Sequence, residues 1–193
     1  MKRFAIRPFW FLVVALAISI SVVAYNAVYQ KGLQQAAEQV SRTGAVDAAS
    51  GLIGQRRPDF NLLDTDGLPR KADEWDGKVL VINFWADNCL PCRREIPAFI
   101  HMQNELAGRG VQFVGIAINE REEVRVFAKG MGVEFNYPVL TGTDDAIEVA
   151  RLYGNEVGIL PYTVVIDSSG VVVQSQFGEV RSDELREMLV PLL

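Results

Sequence analysis

The stretch Val79-Leu80-Val81-Ile82-Asn83-Phe84-Trp85 is an almost unbroken apolar run, preceded by an Asp76-Gly77 turn signal. Such a run predicts a central strand buried on both faces, and residues 111–118 predict a second one. Between them Ile96, Phe99, Ile100, Met102 and Leu106 recur at helical spacing, so residues 91–106 read as a helix, kinked at Pro97. A helix over about residues 122–129 follows, broken at Gly130 and Gly132. Tyr137-Pro138-Val139-Leu140 reads as a short extended piece, and residues 144–153 as a further helix. Residues 162–166 and 171–177 predict strands around the Asp167-Ser168-Ser169-Gly170 turn. A last helix opens at Ser182, with Asp183 and Glu184 placed favourably against its dipole. Upstream, Asp64-Thr65-Asp66-Gly67 lies between short apolar patches and predicts a β-hairpin within residues 60–70. The order of these elements predicts an α/β sandwich around a mixed sheet.

The N-terminal pattern is of another kind. Residues 9–29 carry no charge, and only Ser19, Ser21, Tyr25, Asn26 and Tyr29 bring polar groups. As a helix this segment is roughly 30 Å long, the thickness of a bilayer core. Lys2, Arg3 and Arg7 precede it, and the first acidic residue is Glu38. The positive-inside bias keeps residues 1–8 in the cytoplasm and sends the rest of the chain across the membrane. Val22-Val23-Ala24 resembles a cleavage site, but the apolar run is longer than a signal peptide's and continues past it, so an uncleaved signal anchor is expected. Residues 30–54 read as a linker. In it Leu33, Ala36, Ala37 and Val40 suggest a short amphipathic helix before a Gly- and Ser-containing stretch. Residues 55–193 are then one ordinary domain, large enough to bury a core without disulfide staples. With 19 basic and 24 acidic residues the net charge is −5, which argues against a nucleic-acid partner.

The chain has 2 cysteines, Cys89 and Cys92, placed where the apolar strand ends and the next helix starts. This spacing brings two sulfurs within bonding reach in one helical turn. The helix N-terminus favours the thiolate of the first, which then attacks a partner's disulfide. Cys89 is therefore the expected nucleophile and Cys92, one turn inward, the resolving residue. Pro91 between them removes a backbone donor and constrains the turn. The competing reading is half of a zinc site, but four ligands are needed and the chain adds only His101, so no metal is expected.

Phe84-Trp85-Ala86 before Cys89-Leu90-Pro91-Cys92, with Leu160-Pro161-Tyr162-Thr163 downstream, resembles the thioredoxin superfamily. The likeness is to its membrane-anchored TlpA/ResA/DsbE-like branch, and it spans roughly residues 55–193. Arg57-Pro58-Asp59-Phe60 and the Asp66-Gly67 turn are similar to that branch's opening, and residues 122–140 to its insertion. The resemblance implies a thioredoxin-like fold with an N-terminal β-hairpin extension and an inserted helix-plus-strand segment. It makes Pro161 a cis-proline, whose geometry turns the backbone of Leu160 outward to pair with an extended substrate. Trp85 is expected to join Leu160 and Pro161 in substrate binding. Glu95, three residues after Cys92 and so on the same side of the helix, matches a glutamate that the branch places behind its cysteines. There it would exchange a proton with the resolving thiol. Asn83 stands where many thioredoxins have a buried aspartate, and Asn88 where relatives carry an aromatic residue.

The implied activity is thiol–disulfide exchange at the extracytoplasmic (periplasmic) face of a bacterial inner membrane, with no cofactor beyond the Cys89–Cys92 disulfide. The implied partners are protein disulfides, apocytochrome c among them, a membrane thiol electron donor, and the bilayer through residues 9–29. An oxidase differs from this reductase only in redox potential. A thiol peroxidase calls for a threonine where Ala86 stands, and a copper-binding assembly factor calls for a histidine later than His101.

Overall fold

The computed structural model describes residues 51–193, together with Val28 and Lys31. Those two apart, the expected membrane segment and the linker up to residue 50, with its short helix, lie outside the described residues. Among the described residues no helix is long and apolar enough to cross a membrane.

The apolar runs become a single sheet. Its strands are β1 (Asn61–Asp64), β2 (Pro69–Lys71), β3 (Val79–Trp85), β4 (Val111–Ile118), β5 (Val139–Gly142), β6 (Tyr162–Ile166) and β7 (Val172–Phe177), in the spatial order β2-β1-β5-β4-β3-β6-β7. Helices α1 (Leu90–Leu106) and α2 (Arg121–Met131) provide the crossovers that make β3, β4 and β5 parallel. The two outer pairs, β1–β2 and β6–β7, are antiparallel hairpins. Helices α3 (Asp144–Leu152) and α4 (Ser182–Leu189) complete the element order.

Every residue of β3 is buried, as its pattern predicted. Leu80, Ile82 and Phe84 point into a core layer with Val149, Tyr153 and Tyr162, while Val79, Val81 and Trp85 point into a second layer with Ile96, Phe99, Met102 and Leu185. Burying each large apolar side chain contributes roughly 1.5–3 kcal/mol, so β3 holds the two layers together.

One expectation is corrected. α2 does not break at Gly130; it runs to Met131 and ends at Gly132, which adopts the left-handed conformation (φ 64°). A mid-helix glycine costs only about 1 kcal/mol relative to alanine, less than burial of Val124 and Phe127 on the same helix returns. α1 runs through Pro97, which is solvent-exposed, over the span that its apolar spacing predicted.

The inserted helix is fastened to the N-terminal hairpin. Arg125 Nη2 donates to the Thr65 carbonyl at 2.7 Å. Arg121 lies over Gly67, whose left-handed backbone (φ 83°) favours glycine. At the other edge, Gly54 N–H donates to the Val172 carbonyl at 2.8 Å and Arg57 N–H to the Gly170 carbonyl at 2.9 Å. This seam was not legible in the sequence. Val172 pairs with Ile166, and Ile166 with Leu80. The chain therefore enters the sheet at the end opposite Trp85 and the cysteines.

Candidate active site

β3 delivers the chain to the top of the sheet, where Ala86 begins a short turn into α1. Cys89 is the N-cap of α1, and its sulfur accepts the Cys92 N–H at 3.3 Å. The first sulfur thus sits on one of the donors that a helix start leaves unsatisfied, where negative charge is favoured. Cys89 and Cys92 are joined as a disulfide, S–S 2.05 Å. Cys89 is partly exposed and Cys92 fully buried, so a partner reaches only the first.

Glu95 lies one turn further along α1, buried to 1% exposure. Oε1 accepts the Asn83 amide at 2.8 Å, and Oε2 accepts the Val180 backbone N–H at 3.0 Å. Asn83 also donates to Thr163 Oγ1 at 3.1 Å, so β3, β6, α1 and the segment before α4 converge on one carboxyl. Burial pushes that carboxyl up from its ordinary 4.5 to about 7. The Val180 and Asn83 hydrogen bonds pull against the rise, and the negative charge of Glu179 adds to it. Near neutral pH such a group takes up or releases a proton readily. Tyr137 is held above the ordinary phenol range by burial and by the charge of Glu95.

The loop before Cys89 is held from the side. In the parallel register Trp85 faces Ala117, so Asp87 and Asn119, each two residues further on, come side by side. Asp87 N–H donates to Asn119 Oδ1 and Asn119 Nδ2 to Asp87 Oδ1, both at 2.9 Å, while Nδ2 also reaches Glu123 Oε2 of α2 at 3.1 Å. Sequence reasoning missed Asn119; the signal was a polar residue directly after the buried strand that adjoins β3. Asn119→Ala leaves the partly buried Asp87 N–H unpaired and is expected to lower stability by about 1–2 kcal/mol. Urea denaturation at pH 7 measures this, and a loss under a few tenths would show that water replaces the amide.

Arg93 lies over the Phe127 ring, 5.6 Å from its centroid, and Arg94 pairs with Glu179 at 2.6 Å. Trp85 was expected to bind substrate, but it is 1% exposed and packs on Phe127 (4.9 Å between centroids) and Phe135 (5.9 Å). It supports the site from beneath. It ends an inward-pointing row of β3, and there its ring fills the second core layer. The Leu160-Pro161 peptide bond is cis. Pro161 is buried and Leu160 partly exposed, packed in the same layer as Cys89. Asn155, buried to 1%, braces the loop before them by accepting the Ile159 N–H (3.1 Å) and donating to the Ile159 carbonyl (2.9 Å). Among the described residues neither the N–H nor the carbonyl of Leu160 has a hydrogen-bond partner within the chain.

Residues 53–175, which include both cysteines, Glu95 and Pro161, match the AhpC/TSA family. The thiol-disulfide oxidoreductase ResA of Geobacillus thermodenitrificans is 30% identical over 138 residues, 71% of this chain and 76% of the relative. ResA of Bacillus subtilis is 28% identical over 189 residues, 97% of this chain and 92% of the relative. Among solved structures, a thiol:disulfide interchange protein of the thioredoxin family from Chlorobium tepidum has a TM-score of 0.61 at 33% identity, covering 71% of this chain and 94% of that one. The resemblance read from the two motifs therefore extends through the whole sheet. The chain belongs to the AhpC/TSA family, and within it is a thiol–disulfide oxidoreductase of the ResA type.

Proposed function

We propose that this oxidoreductase works as a disulfide reductase, anchored to a bacterial cytoplasmic membrane by residues 9–29 and acting outside the cytoplasm. The observation that carries the direction is what surrounds the Cys89 sulfur. It receives one backbone N–H, whereas Arg94 is engaged by Glu179 and Arg93 lies over Phe127. Asp87, two residues before it, bears a negative charge. A strongly oxidising site stabilises its thiolate far more than this, so a reducing potential is expected.

In the reduced protein the Cys89 thiolate attacks one sulfur of a substrate disulfide, and the other sulfur leaves as a thiolate. Cys92 then gives its proton to Glu95 and attacks Cys89 Sγ. This releases the second substrate thiolate and forms the Cys89–Cys92 disulfide. Two electrons have passed to the substrate, and a membrane dithiol returns them to the pair. The unpaired backbone groups of Leu160 hold the substrate extended across Cys89, beside Pro161. Apocytochrome c, whose haem-binding cysteines must be reduced before ligation, fits as a substrate.

Equilibration of the oxidised protein with glutathione or dithiothreitol buffers tests the direction. A potential below about −200 mV is expected, and a value near about −120 mV would make the chain an oxidase.

The anchor reading rests on the charge-free residues 9–29 and the basic residues before them. The likeness to the Bacillus subtilis protein also spans 97% of the chain. Alkaline carbonate extraction should keep full-length protein in the membrane fraction; a soluble form beginning near residue 25 would overturn the anchor.

A further inference from the structure

We propose that Arg94 and Glu179 form a charged latch that sets the protonation of Glu95, which makes Glu179 a positioning residue of the exchange site. α1 sends out Arg94 and Glu95 next to each other, and the segment between β7 and α4 receives them on consecutive residues. Arg94 Nε donates to Glu179 Oε2 at 2.8 Å, and Nη2 lies 2.6 Å from the same oxygen. Glu95 Oε2 accepts the N–H of Val180, the next residue, at 3.0 Å. Each contact joins positions 85 residues apart, so neither is a local product of the helix. The charged pair is on the solvent side, with the Arg94 side chain 59% and that of Glu179 31% exposed, while Glu95 and Val180 are buried.

Other groups around Glu95 leave this role to Glu179. Cys92 is one turn earlier on α1 and held in the disulfide. Tyr137, from the segment before β5, has a phenol that burial keeps neutral. β3 and β6 contribute Asn83 and Thr163, which do not titrate. The charge of Glu179 opposes ionisation of Glu95, and the Arg94 guanidinium paired with Glu179 is placed to offset part of that charge.

A brace and a charge device differ in sign. If the pair only held the segment in place, breaking it from either side would have the same effect. If it acts through charge, the two halves act oppositely. Glu179→Gln removes the like charge and leaves a cation nearby, easing ionisation of Glu95, whereas Arg94→Gln leaves Glu179 uncompensated and hinders it. The consequence for catalysis rests on the proposed proton exchange between Glu95 and Cys92; the effect on Glu95 itself does not.

The test is a carbon-13 NMR titration of carboxyl-labelled glutamates in the full-length, oxidised chain in detergent, with Glu95 assigned by the signal lost in Glu95→Gln. Glu179→Gln is expected to lower the Glu95 midpoint by about 0.5 pH unit and Arg94→Gln to raise it by about as much. The double variant should return towards the wild type. Shifts of the same sign, or no shift in either variant, would overturn the latch. The pH–rate profile of disulfide reduction then separates the two readings. A profile that follows the midpoints supports Glu95 as the proton partner of Cys92. If the midpoints move oppositely while the profile stays fixed, the latch stands and Glu95 leaves the exchange reaction.

Discussion

Replacing Cys89 by serine is expected to reduce disulfide exchange to the uncatalysed background, whereas replacing Cys92 by serine leaves the first attack intact and abolishes turnover. The asymmetry follows from geometry. Only Cys89 is both open to a partner and placed on a helix-start N–H, and the buried Cys92 meets no partner sulfur until Cys89 has carried one in. Cys92→Ser should therefore accumulate one equivalent of mixed disulfide per chain, linked through Cys89. Expressed in cells, it should retain its substrates covalently. Mass spectrometry of the linked peptides reads both results. Equal trapping by Cys89→Ser would reverse the assignment of attacking and resolving residues.

A second large effect concerns stability. The folded protein binds a proton at Glu95 with a midpoint of about 7, above the ordinary 4.5. Folding is thus favoured by the protonated form. The contribution is fully present below pH 4.5 and is lost as pH rises through about 7. The loss approaches about 3 kcal/mol by pH 8. In Glu95→Gln this dependence vanishes. The substitution has a fixed cost of its own, because an amide cannot accept from both Asn83 and Val180. Relative to wild type, however, the variant should gain about 3 kcal/mol between pH 4 and pH 8, while the titrations of the other carboxyls cancel in the comparison. Urea denaturation of the two oxidised proteins across that range measures the difference. Parallel curves would mean that Glu95 titrates as an ordinary carboxyl. A buried acid that destabilises the fold at neutral pH fits a residue kept for chemistry, and the same protonation governs the step at Cys92 in the proposed mechanism.

Local pattern by itself determined the elements. Apolar runs marked β3 and β4, helical spacing marked α1, and turn residues marked both hairpins, because which side chains share a face depends on a short stretch of backbone. The chemistry of Cys89 and Cys92 was equally local, as one helical turn fixes their separation. The helix boundary at Gly130 was misjudged because burial elsewhere on the helix outweighed the residue's intrinsic preference. The tertiary structure alone decided the surroundings of the cysteines. Asn119 meets Asp87 only through the parallel register of β3 and β4, and Glu179 and Val180 meet Arg94 and Glu95 only because β7 returns to α1 after 85 residues. Trp85 is a support rather than a contact surface because α2 and the segment before β5 cover it with Phe127 and Phe135. The resemblance marked Glu95, but only the sheet and the segment before α4 remove it from water. Its altered proton affinity comes from that desolvation, which depends on the packing of distant elements and not on the residues beside it in the chain.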